Sequence, residues 1–299
     1  MSGYPTVFLD SINVFFSIII EALPFITLGV IVSSLLSTFV SDEALVKFIP
    51  KNRILSHVCI ALLGFFFPVC ECGNIPVARR LIAKGVPVSQ TVSFLLAAAI
   101  NPIVLLATFT AFRFSPEVVI LRAFITLLIA VLVGLIVSMY GNISDVLTKS
   151  VLQECDIYDH HGLTVQDKLN QISRIFRTET INAMGALVVG AAVAAFVTTL
   201  SRNSVASIAS TPILATIAMM ILAFIMTICS TVDAFVALGY VGRFPLSSVI
   251  SFMVFGPMIN IRSVSLMLTT FKPRFVLIIS LLVIQMVLIS SVVMNIYGI

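Results

Sequence analysis

Apolar residues fill the chain in long runs, broken at intervals by short clusters of charge, Pro and Gly. The runs lie near residues 12–40, 54–84, 87–112, 117–140, 180–201, 210–242, 246–271 and 275–297. A helix rises about 1.5 Å per residue, so about 20 apolar residues cross a hydrocarbon core of about 30 Å. Each run is long enough, and the pattern predicts an all-α, polytopic membrane protein of eight transmembrane helices. Only residues 141–178 form a sizeable polar stretch, with Asp145, Lys149, Glu154, Asp156, Asp159, Asp167, Lys168, Arg174 and Arg177. It divides the chain into a first transmembrane repeat (1–140), a polar connecting loop (141–178) and a second repeat (179–299).

The two four-helix halves resemble each other. Glu21 begins EALPFITLGVIVSSLL and Glu179 begins ETINAMGALVVGAAVAAF; Pro87 opens PVSQTVSF and Pro245 opens PLSSVISF, both pairs 158 residues apart. With a shift of one more residue, Cys70 falls opposite Cys229, Asn74 opposite Asp233 and Asn101 opposite Asn260. The preserved order and nearly constant offset predict an internal duplication, hence a pseudo-symmetric transporter. An even number of complete spans per half makes the repeats parallel; one re-entrant segment per half makes them inverted.

Composition fixes the solvent. The 299 residues are 60% hydrophobic and 10% charged, with a mean hydropathy of +1.17, against about 25% charged in a soluble domain. Residues 1–20 hold no Lys or Arg, so the first run is expected to be a retained span, not a cleaved signal. The net charge of +4 is spread thinly. This suits loops facing anionic lipid headgroups and argues against nucleic acid as a partner. Lys and Arg fall about equally on the two faces, so their distribution does not orient the chain. Both termini and the long loop are placed in the cytoplasm, because long polar loops without a translocation signal stay there. No disulfide framework is expected, since Cys59, Cys70, Cys72 and Cys229 lie in apolar surroundings.

The second and sixth runs are the irregular ones. Residues 54–84 are interrupted by PVCECGNIPVARR. Gly73 and Pro76 predict a helix break near residues 70–76, because Pro76 lacks an N–H and disfavours helix at Ile75. Free backbone groups at membrane depth survive only inside protein or along a water-filled cavity. The matching stretch of the second half, TICSTVDAFVALGYVGRFP, places Cys229, Ser230, Thr231 and Asp233 in an apolar run. Interrupted helices at corresponding places point to a substrate site near the midplane between the repeats.

An ionisable residue at membrane depth costs about 2.5–3.5 kcal/mol on insertion scales, so Glu71, Asp233 and Arg262 need a reason to be there. Arg262 is expected to neutralise Glu71 or Asp233 across the repeat interface; a purely structural ion pair is the competing reading. Glu71 is the first candidate for a carboxylate that changes charge during a transport cycle. Cys70 and Cys72 flank it. On an extended backbone they would present two thiolates to one ion, and thiolate favours soft metals and metalloids. As small apolar fillers between helices they would carry no chemistry.

Asn101 beside Pro102, and Asn260 near Pro257, form a second matched pair. They either line the cavity or recapture carbonyls that the prolines free, the second reading being preferred. Asn74 completes the expected substrate-binding set of Cys70, Glu71, Cys72, Asn74, Asn101, Cys229, Thr231, Asp233, Asn260 and Arg262. Glu21 and Glu179 read as helix-start carboxylates. Arg79, Arg80 and Lys84 read as anchors with stems in lipid and charges at headgroup level. The loop group Glu154, Cys155, Asp156, Asp159, His160 and His161 reads as a solvated turn in preference to a metal site. No P-loop, HExxH or GxSxG occurs, so no cofactor is expected, and energy comes from a gradient or another chain.

At PVCECGNIPVARRLIAKGVP, EALPF and GPMINIRSV the chain resembles the bacterial predicted-permease family that includes the ArsP organoarsenical efflux permeases. The resemblance covers nearly the whole chain. It implies an eight-helix inner-membrane permease of two similar halves, with Cys70, Cys72 and Cys229 as the cysteines able to meet a trivalent arsenical. Some members look like one component of a two-protein permease, which makes a second membrane subunit a candidate partner beside a further copy of the chain. The leading expectation is a permease for a small soft-metal or metalloid solute. A divalent-metal or other small-solute permease subunit, and an intramembrane metal-dependent enzyme using Glu71 and Asp233, are the alternatives.

Overall fold

The computed structural model describes residues 12–13, 15–20, 23–24, 26–31, 50, 52–67, 71–113, 115–139, 146–148, 172–174, 176–178, 180–181, 183–185, 187–192 and 211–297, with backbone alone at 71 and 72. Ten helices are defined in full: α1 (Arg53–Phe66), α2 (Glu71–Ala83), α3 (Val88–Ala97), α4 (Pro102–Ala111), α5 (Pro116–Val137), α6 (Pro212–Met226), α7 (Asp233–Leu238), α8 (Leu246–Met258), α9 (Ile261–Met267) and α10 (Pro273–Ile296). Residues 15–20, 26–31 and 187–192 are also helical.

The chain is an all-α membrane protein. Among the described residues four stretches are long and apolar enough to cross a bilayer: Val88–Ala111, Pro116–Val137, Leu246–Met267 and Pro273–Ile296. Arg53–Phe66 and Pro212–Met226 are shorter apolar helices. The expected spans at 12–40 and 180–201 lie partly outside the described residues. Large apolar side chains face outward, among them Ile120, Phe124, Leu277 and Leu281. Such a surface is stable against lipid and unstable against water.

Both long runs expected to be interrupted are interrupted. The first break comes earlier than Gly73 and Pro76 suggest, after Phe67, because α2 begins at Glu71 and carries Pro76 inside it. Pro76 falls in the second turn, where it removes one hydrogen bond without ending the helix. The second break lies between Met226 and Asp233. There Thr227 takes φ +52°, a left-handed conformation that a β-branched residue adopts only when its surroundings hold it. Two further breaks lie beside the paired asparagines: α3 gives way to α4 at Ala98–Asn101, and α8 gives way to α9 at Ile259–Asn260.

Close packing follows from small residues. A Cβ at Gly64 would stand 2.5 Å from the Phe94 carbonyl oxygen, so only glycine lets α1 lie this close to α3. On the other side, a Cβ at Gly256 would touch Ala223 at 3.4 Å, where α8 meets α6. Polar side chains pin the same junctions. Gln90 Nε2 donates to Ser56 Oγ at 3.1 Å between α3 and α1, and Thr216 Oγ1 shares hydrogen bonds with Ser248 Oγ and Ser291 Oγ among α6, α8 and α10. In lipid such bonds and small-residue contacts replace the missing hydrophobic drive between helices. α3 and α8 form the buried centre, α2 packs on α9, and α7 packs on α4.

Candidate functional site

Asp233 opens α7 directly after the second break, and 98% of its surface is buried. An unpaired carboxylate there would be expensive. Its partner is Arg122 of α5, whose Nη2 donates to Asp233 Oδ2 at 2.5 Å. Arg122 is itself 1% exposed. The guanidinium of this pair comes from the fourth apolar run, six residues inside α5.

Arg122 does more than balance one charge. Its Nη1 donates to Thr108 Oγ1 of α4 at 2.7 Å, and its Nη2 also donates to the Met253 carbonyl of α8 at 3.0 Å. That carbonyl is free for a definite reason. Pro257 lies four residues on, inside α8, and has no N–H to give it. A planar guanidinium with several donors suits this convergence, which a single ammonium would not match. One side chain thus ties α5 to α4, α7 and α8.

The two asparagines have parallel duties. Asn101 caps α4, its Oδ1 accepting from the Val104 N–H at 3.0 Å. Asn260 caps α9, its Oδ1 accepting from the Ser263 N–H at 2.7 Å, while Ser263 Oγ accepts from the Asn260 N–H at 2.9 Å. Asn260 Nδ2 also donates to the Gly256 carbonyl at 2.8 Å, replacing the bond that helix termination removes. Both are buried and both precede a helix that restarts after a break. Both side chains N-cap a restarting helix, and Asn260 also holds the Gly256 carbonyl.

The remaining expected residues are placed as follows. Asn74 is fully buried in α2, and Gly73 beside it meets Gly29 so closely that a Cβ at Gly29 would stand within 3 Å of its backbone. Arg262 is 1% exposed at the start of α9. Since α2 packs on α9 and α7 on α4, each broken stretch meets the restarting helix of the other half. Cys229 is buried, and Thr231 Oγ1 donates to its Sγ at 3.6 Å. Cys70, the side chains of Glu71 and Cys72, Glu21, Glu179 and the set from Glu154 to His161 lie outside the described residues. The backbone at 71 and 72 is helical. Among the described residues no three His, Cys, Asp or Glu side chains gather as a metal site requires.

Arg79, Arg80 and Lys84 are not headgroup anchors. All three are at least 95% buried, and Arg79 Nη2 donates to the Thr269 carbonyl at 2.9 Å. They point inward because α2 is enclosed against α3 and α9 and has no lipid-facing side for long cations to follow.

The family described as "Predicted permease" matches residues 8–296. The YcgR protein of Bacillus subtilis is 38% identical over 290 residues, which cover 96% of this chain and 98% of that one. A Streptococcus mutans protein named as a two-component membrane permease complex subunit is 33% identical over 299 residues, covering 98% of this chain and 95% of its own. No solved structure matches the chain significantly.

Proposed function

The chain belongs to this predicted-permease family and is a multi-pass membrane permease, and we propose that it moves a small solute through a midplane site between two inverted repeats. The observation that supports the reading is Arg122, which joins Asp233, at the second helix break, to Thr108 inside α4 of the other half. A charge pair beside broken helices is where a solute or proton can exchange partners without exposing bare backbone to lipid.

Which helix ends meet supports this inverted arrangement. Arg53, opening α1, donates to the Ser138 carbonyl at the close of α5, so those ends share one face. Thr216 near the start of α6 likewise meets Ser291 near the end of α10. Beyond α5, the Lys272 N–H donates to the Val146 carbonyl just before α10 begins. The seven steps from Met139 to Val146 reach about 25 Å at most, less than the roughly 33 Å length of α5. α10 therefore starts on the face where its counterpart α5 ends. This favours corresponding helices running in opposite directions, the arrangement expected with one re-entrant segment per half.

For the solute we favour a soft metal or trivalent organoarsenical species, on the chemistry of Cys70, Cys72 and Cys229. The test is flux into and out of reconstituted vesicles, with and without a pH gradient, over a panel of phenylarsenite, Cu(I) and Zn(II). Transport of a thiophilic solute that Asp233→Asn and Cys229→Ser each abolish supports the reading. Full flux in both variants removes the site. The name of the Streptococcus mutans relative favours a second reading, a subunit acting with another membrane protein. Flux that appears only when a second membrane protein is co-reconstituted would select it.

A further inference from the structure

We infer that His57 is a proton-binding site, where a proton lodges on Nε2 at the junction of α1, α3 and α5. His57 stands one turn inside α1 and is 1% exposed. Its Nδ1 lies 2.8 Å from the Arg53 carbonyl oxygen. A carbonyl only accepts, so Nδ1 carries the hydrogen and Nε2 is left with a lone pair. Among the described residues that buried Nε2 meets no hydrogen-bond partner.

A second bare acceptor opens on the same junction. Ser56 Oγ donates to the Arg53 carbonyl at 2.8 Å, which uses its one hydrogen. Gln90 of α3 therefore turns its amide nitrogen to Ser56 Oγ, at 3.1 Å, and its Oε1 is a buried acceptor with no partner among the described residues. On the α5 side, a Cβ at Gly134 would come within 3 Å of both His57 Cδ2 and Ser93 Oγ, so glycine alone leaves room for the ring. Two buried lone pairs with no hydrogen to share are costly. A proton on Nε2 turns one of these acceptors into a donor for the other. It comes from solvent water and returns there, so no bond of the protein breaks.

At the matching junction of the second half nothing is left over. The shift that sets Cys70 opposite Cys229 sets His57 opposite Thr216, and the shift that sets Pro87 opposite Pro245 sets Gln90 opposite Ser248. Thr216 Oγ1 lies 2.9 Å from Ser248 Oγ and 2.7 Å from Ser291 Oγ. Hydroxyls both donate and accept, so this cluster closes on itself. An imidazole nitrogen and an amide oxygen do not.

Few charged or titratable groups surround His57 on the three helices. α3 has none. α5 holds Glu117 and Arg122 near its start, about 18 Å or more along the helix from Gly134. On α1 itself Cys59 lies two residues further on, and Arg53 lies one turn outward with its Nη2 donating to the Ser138 carbonyl at 2.7 Å. Arg53 opposes a second positive charge. The proton is therefore held by hydrogen bonds and not by a counter-ion, and it can leave again. Under the permease reading above, this is the proton that a pH gradient drives, and α5 carries both the contact with His57 and the Arg122 pair.

The experiment is nitrogen NMR of the full chain in detergent with isotope-labelled histidine, titrated from about pH 8 to about pH 5, the span in which imidazole serves as a switch. His57→Gln identifies the His57 signals by their loss. Nδ1 should stay protonated throughout, and Nε2 should pass from bare to protonated as acid is added. Gln90→Leu, which removes the acceptor oxygen, should weaken proton binding about tenfold, the worth of one hydrogen bond to a charged group. Gln90→Glu should strengthen it. An Nε2 still bare at the acid end, as a trapped water donating to both acceptors would leave it, overturns the inference. So does a titration that neither Gln90 variant moves. In vesicles, phenylarsenite flux should respond to an imposed pH gradient, and His57→Gln should abolish the response; a response that persists would overturn the coupling role. Absence of flux in the wild type would count against the solute proposed above and not against His57, whose titration is read without one.

Discussion

Arg122 and Asp233 stand 111 residues apart in sequence and form a buried ion pair 2.5 Å long. The arginine lies in the last long helix before the central loop, the aspartate just past the interrupted helix of the second half. Between them they hold together four helices, one of which opens at the second break. On the arginine's side, Thr108 and a proline-freed carbonyl accept further N–H groups, and the aspartate stands at a helix start.

Removing one partner should be far worse than removing both. Arg122→Met leaves a buried carboxylate without its cation and is expected to lower stability by about 3–5 kcal/mol. Arg122→Met with Asp233→Leu should recover most of that in thermal unfolding in detergent. If the pair also serves transport, the stable double variant remains inactive in vesicle flux. Wild-type flux in the double variant would reduce the pair to a structural role.

Arg122→Lys tests the convergence of bonds. A lysine keeps the charge on Asp233 but lacks the planar fork that reaches Thr108 and Met253 as well. Flux should fall while the melting temperature drops less than in Arg122→Met. Restoring the missing backbone bond with Pro257→Ala in the lysine background should regain part of the stability, since Met253 then has an N–H partner again.

Asn101→Ala and Asn260→Ala should each cost about 1 kcal/mol for a lost cap. Asn260→Ala is expected to be the more damaging, because it also orphans the Gly256 carbonyl. Comparing the two melting temperatures checks the order, and an equal or reversed order would contradict the bonding described for Asn260.

Gly64→Val places carbon atoms inside the space now taken by the Phe94 carbonyl. α1 cannot stay on α3, so the yield of monodisperse protein should collapse. Leu62→Val, on the exposed side of the same helix, should leave it nearly unchanged. Size-exclusion profiles of the two variants decide the point.

The helix breaks near residue 70 and near Asp233 were legible because Pro, Gly and polar side chains inside an apolar run have no other use. Asn101 and Asn260 were legible as a pair but not as the start of new helices; a break of two to four residues inside a 22- to 24-residue apolar stretch leaves hydropathy untouched. Arg122 was missed altogether. At six residues into an apolar run it reads like a cation near a membrane face, and nothing local names a partner so far away in sequence. For Arg79, Arg80 and Lys84 the reverse happened: a cluster after a break looks like an anchor until tertiary packing closes over it. Charge in a membrane sequence announces that something is paired there, but only the fold says with what.

The wetted space around the second break is the central claim, and thiol labelling measures it directly. Thr231, partly exposed beside Cys229 and Asp233, would be replaced by cysteine in a chain whose five native cysteines are serine. A membrane-impermeant, water-soluble thiol reagent would then be applied to open membranes. The account predicts labelling at a rate within about tenfold of a cysteine placed at exposed Ser115, because a water-filled cavity reaches this depth only inside protein. No labelling at residue 231 while residue 115 reacts fully would mean that the break is dry, and the site proposed here would not exist.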